Sequence, residues 1–337
     1  MFNKSRMAWT ISALFLVAVT SCSKDEPVEQ SPSPSAGQIL FTGEQAGLTV
    51  KSALIDNNSD FVAVAGSTLK TTLHGYETWW TATSDRVGIY SEEARTAATA
   101  GSRVVNNLYT ANITAASTPF TAVPTMYWGA ASSPHTFYAY YPYSNAPVPN
   151  PEAAAVPIGL LSTQVQSAAN DYTHIGALDF LVAAPITVDS PAAAGVTTHP
   201  TVHLVYNHVF TIVEFNITGT SGSLNGIRLS GTSLALEGAL INIKQTTPPA
   251  GSPYTLADPG TISGAVIVNL TAAAALSATP FKVYMVIYPG FAGTTSIQFT
   301  KDGGTIWKNA VNPALEAPTG GFKRGQYYTV SVDAGAL

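Results

Sequence analysis

Three histidines, His199, His203 and His208, stand close together near the middle of the chain. Imidazole nitrogens are common zinc ligands, so this group is the first candidate for a metal site. The run from Thr201 to Thr218 is rich in β-branched and aromatic residues and therefore reads as strand. On a continuous strand His203 and His208 point to opposite faces, and a shared metal would need a bend or bulge between them. We expect no metal, and histidines that are exposed or hydrogen-bonded in place.

Residues for covalent or acid–base catalysis do not form a recognisable arrangement. The sequence contains no Gly-x-Ser-x-Gly, no His-Glu-x-x-His and no phosphate-cradling glycine loop. Glu92 and Glu93 are adjacent carboxylates in a loop-like stretch, and the sequence alone leaves glycoside cleavage by such a pair open. We expect no enzyme, no catalytic residue and no cofactor.

The only cysteine, Cys22, lies where a chemical modification is expected. Lys4 and Arg6 precede an apolar run from Met7 to Val19, and Val-Thr-Ser-Cys then places small residues before the sulfur. This order resembles a bacterial lipoprotein signal with its lipobox. It implies a signal peptide over residues 1–21 and a Cys22 acylated with palmitate or similar chains, which hold the protein at a membrane. An ordinary secretory signal with an incidental cysteine is the alternative.

A tether follows over residues 22–37. Its Ser23-Lys24-Asp25-Glu26 resembles the surface-export signal of Bacteroidetes lipoproteins, with a plain solvated tether as the alternative. Pro27 to Gly37 is rich in Ser and Pro, so it is extended and cannot pack. The chain beyond Cys22 has no cysteine, so disulfides and thiolate metal sites are excluded. We expect the protein on the outer membrane, at the cell surface.

Composition narrows the class of protein further. Of the 337 residues only 10% are charged, well below the usual quarter or so, so the chain can bury large cores. Removing Lys4 and Arg6 leaves 13 of 15 basic groups against 20 acidic ones, a net charge of −7. No basic patch points to nucleic acid. The length favours two domains.

The whole sequence is patterned as short strands and tight turns. We predict an all-β fold with an N-terminal β-sandwich over 38–200 and a C-terminal one over 201–337. Thr201 to Thr218, as one strand or two in tandem, would open the second sandwich. Phe215 would face the core, and Ile212 and Glu214 would lie on the other face, so that the strand runs between core and water. Thr187 to Pro200 would connect the domains. Ala272 to Ala275 is the best helical candidate, and Asp302-Gly303 predicts a hairpin between 295–299 and 305–307.

Tryptophans offer a second kind of site, because flat indole faces suit sugar rings. Trp79 and Trp80 are adjacent, so on a strand at most one of them can face a given groove, and we expect at least one in the core. Exposed rings at Trp79, Trp128 or Trp307 would support a glycan-binding surface.

Several segments, taken in order, carry a resemblance. After the lipobox they are Ile39-Leu40-Phe41-Thr42-Gly43, Ser84 to Tyr90, Phe137 to Tyr143, Leu204 to His208, and Phe322 to Tyr328. Together they resemble the fimbrillin-like (Mfa-like) family of Bacteroidetes outer-surface proteins, over nearly the whole chain. The resemblance implies two transthyretin-like β-sandwiches and a role in type V fimbriae.

The same resemblance implies how such subunits assemble. A trypsin-like protease removes an N-terminal strand, and a strand of the next subunit fills the groove by donor-strand exchange. Members of the family often have Thr-Arg-Ala where this chain has Val50-Lys51-Ser52. The candidate processing residues are therefore Lys51, Arg95 and Arg103, and the C-terminal strand Tyr327 to Val332 is the expected free donor.

We therefore expect a structural or accessory subunit of a cell-surface fimbria that acts in adhesion. Its partners would be other fimbrial subunits, the outer membrane through the lipid anchor, and host or bacterial surface glycans or proteins. A surface glycan-binding lipoprotein is the alternative. Stalk, tip and anchor subunits share the expected fold.

Overall fold

The computed structural model describes residues 37–46, 49–52, 72–74, 77–98, 101–145, 155–191, 199–244, 254–290, 293–318 and 321–337. These ranges belong to one compact unit, Ala36–Leu337. The predicted signal peptide, Cys22 and the tether up to residue 36 lie outside the described residues. Within the described ranges, no helix has the length and apolar character needed to cross a membrane.

Strands make up almost all of the regular structure, as the sequence predicted. The strands are β1 (Leu40–Gln45), β2 (Thr49–Ser52), β3 (Thr72–His74), β4 (Glu77–Trp79), β5 (Arg86–Arg95), β6 (Arg103–Ala111), β7 (Ser117–Thr121), β8 (Pro134–Tyr141), β9 (Ala155–Leu160), β10 (Thr163–Gln166), β11 (Leu181–Ala183), β12 (Ile186–Asp189), β13 (Thr201–His208), β14 (Thr211–Thr218), β15 (Ser223–Asn242), β16 (Thr255–Asp258), β17 (Thr261–Ala275), β18 (Phe281–Ile287), β19 (Thr294–Thr300), β20 (Lys308–Glu316) and β21 (Gln326–Asp333). One helix, α1 (His174–Leu178), lies between β10 and β11.

The first sheet closes on itself. Its strands follow the order β11, β13, β1, β7, β6, β5 and β8, and β8 also pairs with β11, while β12 adds to β8. The ring encloses an aromatic core. Its largest fully buried side chains are Phe41, Trp80, Tyr109, Phe137, Tyr141 and Tyr206. This closure leaves the strands inside the ring without a free edge.

Two further sheets pack face to face. One contains β10, β17, β15, β19 and β20, with β9 and β16 also paired to β15, and the other has the order β18, β14, β21 and β2. The core between them is made by alternate residues of these strands, such as Val213, Phe215, Val268 and Phe299. Phe215 is completely buried there, as predicted.

A third core covers the second face of β14, and this corrects the prediction that Ile212 and Glu214 lie between core and water. Ile212 packs with Tyr140 of β8 and Tyr327 of β21. Glu214 has no exposed surface, and its Oε2 accepts hydrogen bonds from Lys282 Nζ at 3.1 Å and Tyr327 Oη at 2.5 Å. The sequence pattern could not show this because a charged residue on a strand usually marks a solvated face.

The run from 201 to 218 is two strands in tandem, but the first of them does not open a second sandwich. β13 pairs with β1 and β11 in the first sheet. In the opposite direction, β9 and β10 pair with β15 and β17. Hydrogen bonds therefore cross the predicted boundary at residue 200 in both directions, and β12 (Ile186–Asp189) includes residues 187–189 of the predicted connection.

Two local predictions are also corrected. Ala272 to Ala275 ends β17, since Ala274 and Ala275 pair with Leu224 and Ser223, and this pairing outweighs the helical preference of alanine. The hairpin of β19 and β20 is present, but its second strand begins at Lys308. Asp302 Oδ1 accepts the Ile306 N–H at 3.0 Å, which holds the residues before Lys308 in a turn.

Candidate functional site

β1 lies inside the first sheet with a hydrogen-bonded strand on each side. β13 runs parallel to it, with Leu40–Gln45 opposite Thr201–Tyr206. β7 runs antiparallel to it, with Phe41 opposite Phe120. We call the space that β1 fills between these two strands the β1 slot. Without β1, both neighbours would present unpaired N–H and C=O groups.

Backbone contacts hold the segment beyond both ends of β1. The Ile39 N–H donates to the Met126 carbonyl at 2.9 Å, and the Ala46 N–H donates to the Tyr206 carbonyl at 2.8 Å. Each such bond contributes about 1 kcal/mol net, so the ladder as a whole holds the segment firmly.

Two apolar side chains of this segment fill the floor of the slot. Ile39 and Phe41 are 1% and 2% exposed. The Phe41 ring meets Tyr109 edge-on at 5.0 Å and Phe137 at 5.3 Å, in the T-shaped geometry that aromatic rings prefer. Full burial of side chains of this size stabilises by about 1.5 to 3 kcal/mol each.

Gly43 sits where no side chain fits. A Cβ atom on Gly43 would lie 2.3 Å from Phe120 Cε2 and 3.0 Å from Tyr206 Cε2. The fully buried Trp80 closes the same place, since its Nε1 donates to the Gly43 carbonyl at 3.1 Å. A glycine inside a strand pattern is the sequence signal for such a close approach of neighbouring side chains.

The C-terminal end of β1 is less well satisfied. The side-chain amide of Gln45, a residue only 8% exposed, and the Tyr206 hydroxyl are buried and form no hydrogen bond with any described residue. Burial raises the pKa of Tyr206 well above the ordinary value, so the phenol stays neutral. A buried polar group without a partner costs about 1 to 3 kcal/mol, so this end of the strand is held at a cost.

His203, one of the candidate metal ligands, contacts side chains on the outward face of β1. His203 is exposed, and its Nδ1 lies 2.8 Å from Thr42 Oγ1 and its Nε2 3.4 Å from Glu44 Oε2. His199 Nε2 accepts the Gly37 N–H at 3.2 Å. Both rings therefore contact the N-terminal segment.

His208 points to the opposite face, as predicted, into a buried polar cluster. Its Nδ1 lies 2.8 Å from Asp179 Oδ1 and its Nε2 3.0 Å from Thr78 Oγ1. All three residues are buried or nearly so, and the cluster ties β4 and the end of α1 to β13. The sequence did not reveal this contact, because Thr78, Asp179 and His208 are far apart along the chain. No group of three or more His, Cys, Asp or Glu side chains that could hold a metal occurs in the described part of the chain.

The segment after β1 adds a strand to a different sheet. β2 pairs in parallel with β21, and Lys51 stands opposite Tyr328. The stretch 40–52 thus contributes one strand to the ring and one edge strand to the four-stranded sheet. Among the described strands, β2 is the outermost on that side of the sheet.

The C-terminal strand is not free, which corrects the expected donor. β21 lies between β14 and β2, parallel to both. Tyr327, Tyr328 and Val330 are buried. The alternation that suggested a free donor strand instead reflects packing between two cores, and an isolated sequence segment does not distinguish the two.

The three candidate processing residues have different surroundings. Lys51 lies in edge strand β2. Arg95 ends β5, where its backbone pairs with Tyr127 and its guanidinium donates to three carbonyls of the preceding residues. Arg103 begins β6 and is exposed, with its guanidinium 3.4 Å from Glu92. The Arg95 and Arg103 positions are strand ends flanking a loop rather than parts of one.

The tryptophans divide between core and surface. Trp80 is fully buried, as predicted for at least one of the adjacent Trp79 and Trp80. Trp128 is 8% exposed. Trp79 and Trp307 are half-buried, and the Arg228 guanidinium lies over the Trp307 ring at 4.6 Å. Trp128 therefore cannot stack on a sugar, and one face of Trp307 is already covered.

Known proteins are similar to this chain at two levels, the sequence profile of a family and solved structures. The sequence profile of the fimbrillin-like family matches residues 68–336. No curated protein matches the chain. A solved putative cell adhesion protein from Bacteroides uniformis is 18% identical, with 89% of this chain and 93% of that chain covered and a TM-score of 0.48.

Two structures from Bacteroides ovatus are similar in the same way. A putative cell adhesion protein is 16% identical, covers 89% of this chain and 93% of that chain, and has a TM-score of 0.48. A fimbrial protein is 13% identical, covers 90% of this chain and 50% of that chain, and has a TM-score of 0.41.

Proposed function

This chain belongs to the fimbrillin-like family, and we propose that it is a structural or accessory subunit of a cell-surface fimbria that assembles by strand addition and acts in adhesion. The observation that carries the proposal is the position of β1. A strand close to the N-terminal end of the compact unit fills an interior place in a closed ring, between β13 and β7. Its loss creates a slot rather than an ordinary edge.

In the proposed assembly, a strand of another subunit replaces β1. Main-chain hydrogen bonds to β13 and β7 supply the affinity, and side chains at alternate positions supply the specificity. The replacement needs apolar side chains at the places of Ile39 and Phe41, and glycine at the place of Gly43. These three positions define the donor.

The unpaired polar groups at Gln45 and Tyr206 support exchange. A donor strand with a small apolar side chain at the place of Gln45, opposite Tyr206, would avoid burying the Gln45 amide without a hydrogen-bond partner. The strand present in the precursor is therefore not the best occupant of its own slot, as a replaceable strand requires.

We propose Lys51 as the cleavage position. A cut there detaches β1 and the greater part of β2 and leaves every other strand attached. Cuts after Arg95 or Arg103 would also sever β5, whose Val87 and Ile89 are fully buried. An arginine-specific protease would not cleave after Lys51, so the protease is one that accepts lysine.

The donor strand remains to be assigned. β21 would have to leave both β14 and, before trimming, β2. Its removal would also break the hydrogen bond between Tyr327 and the buried Glu214 carboxylate. The donor we propose is therefore a segment of a neighbouring subunit other than β21 in its present position.

We further propose that Cys22 carries the lipid that holds the precursor at the outer membrane. The thioether can form only at the cysteine sulfur. Cys22→Ala is expected to abolish incorporation of radiolabelled palmitate in the native host, with Ser23→Ala as the matched control. Equal labelling of the Cys22→Ala protein and the wild type would sink this part of the proposal.

The assembly proposal is tested by trimming the purified mature chain with a lysine-cleaving protease. We expect a cut at Lys51, checked by intact mass, followed by a ladder of oligomers that survive mild detergent. Lys51→Gln should stay uncut at this position and monomeric under the same treatment. Clean cleavage with a product that stays monomeric at high concentration would count against strand addition.

The glycan-binding alternative gains no specific support. Its candidate rings include the buried Trp128 and a Trp307 whose one face is covered by Arg228. Trp79, which is half-buried, is the position at which a sugar would be sought first.

A further inference from the structure

The edge strand β18, on the opposite side of the four-stranded sheet from β2, pairs with side chains instead of a neighbouring strand. On one side β18 is hydrogen-bonded to β14. On its other side the backbone groups of Lys282, Tyr284 and Val286 point away from β14, because successive residues of an antiparallel strand alternate in direction. Every one of these six groups has a partner in the stretch from residue 164 to 174.

Two glutamines of β10 supply most of the contacts. Gln164 Oε1 accepts the Val286 N–H at 2.9 Å, and its Nε2 donates to the Val286 carbonyl at 2.6 Å. Gln166 Oε1 accepts the Tyr284 N–H at 2.8 Å, and its Nε2 donates to the Lys282 carbonyl at 3.1 Å. Both side chains are buried, at 2% and 0% exposure. Each primary amide thus does what a peptide group of a neighbouring strand would do.

The residues after β10 complete the series. Asn170 Oδ1 accepts the Lys282 N–H at 2.8 Å, and the Asn170 N–H donates to the Lys282 carbonyl at 2.9 Å. His174, in α1, places Nε2 3.0 Å from the Tyr284 carbonyl, so this nitrogen carries the proton. No outward backbone group of the three β18 residues is left for another chain.

Side-chain amides differ from a strand in one respect that matters here. A backbone strand at this position would satisfy β18 but would present a new edge of its own. The backbone of β10 is instead hydrogen-bonded to β17 in the facing sheet, with Gln164 opposite Val268. The ladder therefore ends at the glutamines, and no strand of the described part of the chain continues it at that edge.

We propose that Gln164, Gln166, Asn170 and His174 form an edge guard that closes β18 to strand addition by a second copy of this chain. The inference does not rest on the proposed function, because the guard is complete in the untrimmed chain. If the proposed function also holds, a trimmed subunit gains new acceptor groups only on the β1 and β2 side of its sheets. Assembly then has one direction and gives unbranched fibres.

The guard is tested in the untrimmed mature chain, residues 22–337, made without lipid by Cys22→Ala. Gln164→Leu with Gln166→Leu keeps the approximate side-chain volume and removes both amides. Amide exchange at Tyr284 and Val286 should become faster by at least about tenfold, since each loses a buried hydrogen bond. Sedimentation velocity should show concentration-dependent dimers that the parent chain does not form.

Gln298→Leu is the matched control. It also removes a glutamine amide, one that bonds Arg228 and Asn309 side chains rather than a strand edge. This variant should stay monomeric. Unchanged exchange at Tyr284 and Val286, a double variant that exchanges quickly yet stays monomeric, or dimers of the control would each overturn the proposal.

A milder variant covers the case in which the double variant fails to fold. Asn170 has a φ of +65°, so Asn170→Gly keeps its backbone conformation and removes only the acceptor for Lys282. Asn170→Asp keeps an acceptor oxygen at the same place. Exchange at Lys282 should rise about tenfold in the glycine variant and not in the aspartate variant. Equal rates in the two variants would mean that this side chain is not part of a guard.

Discussion

The residues that define the β1 slot differ in how far the sequence revealed them. Ile39 and Phe41 lie in a segment that resembles the N-terminal strand of the family, and their burial on one side of the strand follows the period of two of a β-strand. Gly43 is as important, since a Cβ there would overlap the Phe120 ring, but its partner lies far away in the sequence. Alternation along one segment reveals a buried face and says nothing about what covers it.

Phe215 allows the core assignment at the residue scale to be tested. Its ring is completely buried between the two sheets. Phe215→Ala removes that ring and leaves a cavity, so the free energy of unfolding should fall by about 3 to 5 kcal/mol. Ile306→Ala, at a residue 62% exposed, should change it by less than about 0.5 kcal/mol. A denaturation midpoint of Phe215→Ala equal to that of Ile306→Ala would show that the ring does not carry the core.

Elements were predicted with more success than their partners. Most strands were found because their apolar residues recur every second position, and the β19–β20 hairpin because Asp302-Gly303 marks a turn. The sequence pattern predicts three short strands over residues 227–229, 234–236 and 240–243, whereas the structure has one twenty-residue strand, β15, through this region. Its register shifts include one between Ser230 and Ala235. The five-residue α1 was not predicted, since it is too short to show a helical period.

The attachment of α1 should depend on pH. Burial lowers the pKa of His174, against the opposing effects of the Tyr284 carbonyl and of Asp171. Nε2 donates to that carbonyl, and the buried Nδ1 has no hydrogen-bond partner among the described residues, so a second proton would have no acceptor there. The folded protein therefore binds this proton less readily than the unfolded chain does. Stability should be constant above the ordinary histidine pKa of about 6.5 and should fall as pH drops below it.

This pH dependence is measured by urea denaturation between about pH 5 and pH 7.5. His174→Gln should be less stable at neutral pH and should show a smaller decline on acidification. His203→Gln, at an exposed histidine, should keep the decline because His174 is still present. A parent chain whose stability rises on acidification through this range would contradict the assignment.

At the scale of the whole molecule, the order of strands along the chain is not their order in space. β13 returns to the first sheet, β9 and β10 join the sheet of β15 and β17, and the stretch 40–52 contributes to two sheets. A boundary placed by length and by the longest apolar run cannot detect such exchanges, because they depend on pairing between residues far apart in the sequence, such as Leu40 with Thr201. The all-β class needed only local periodicity and was predicted.

This interleaving gives the N-terminal segment its importance. It contributes an interior strand to the ring and an edge strand to the neighbouring sheet, and a single cut at Lys51 detaches it from the chain. The guarded β18 edge lies on the other side of the same sheet as β2. In the proposed assembly, a cut at Lys51 would open the β1 slot while the β18 edge stays covered by the side chains of the guard.

The most direct test of strand addition is to offer the trimmed protein its own strand. Chain cut at Lys51 is titrated with a synthetic peptide of residues 38–51, and oligomer mass is followed by light scattering. The account predicts that the peptide refills the slot and returns the protein to monomers, whereas a Gly43→Leu peptide, which would overlap Phe120, leaves the oligomers unchanged. Equal effects of the two peptides, or no effect of either, would contradict the claim that the β1 slot is the assembly site.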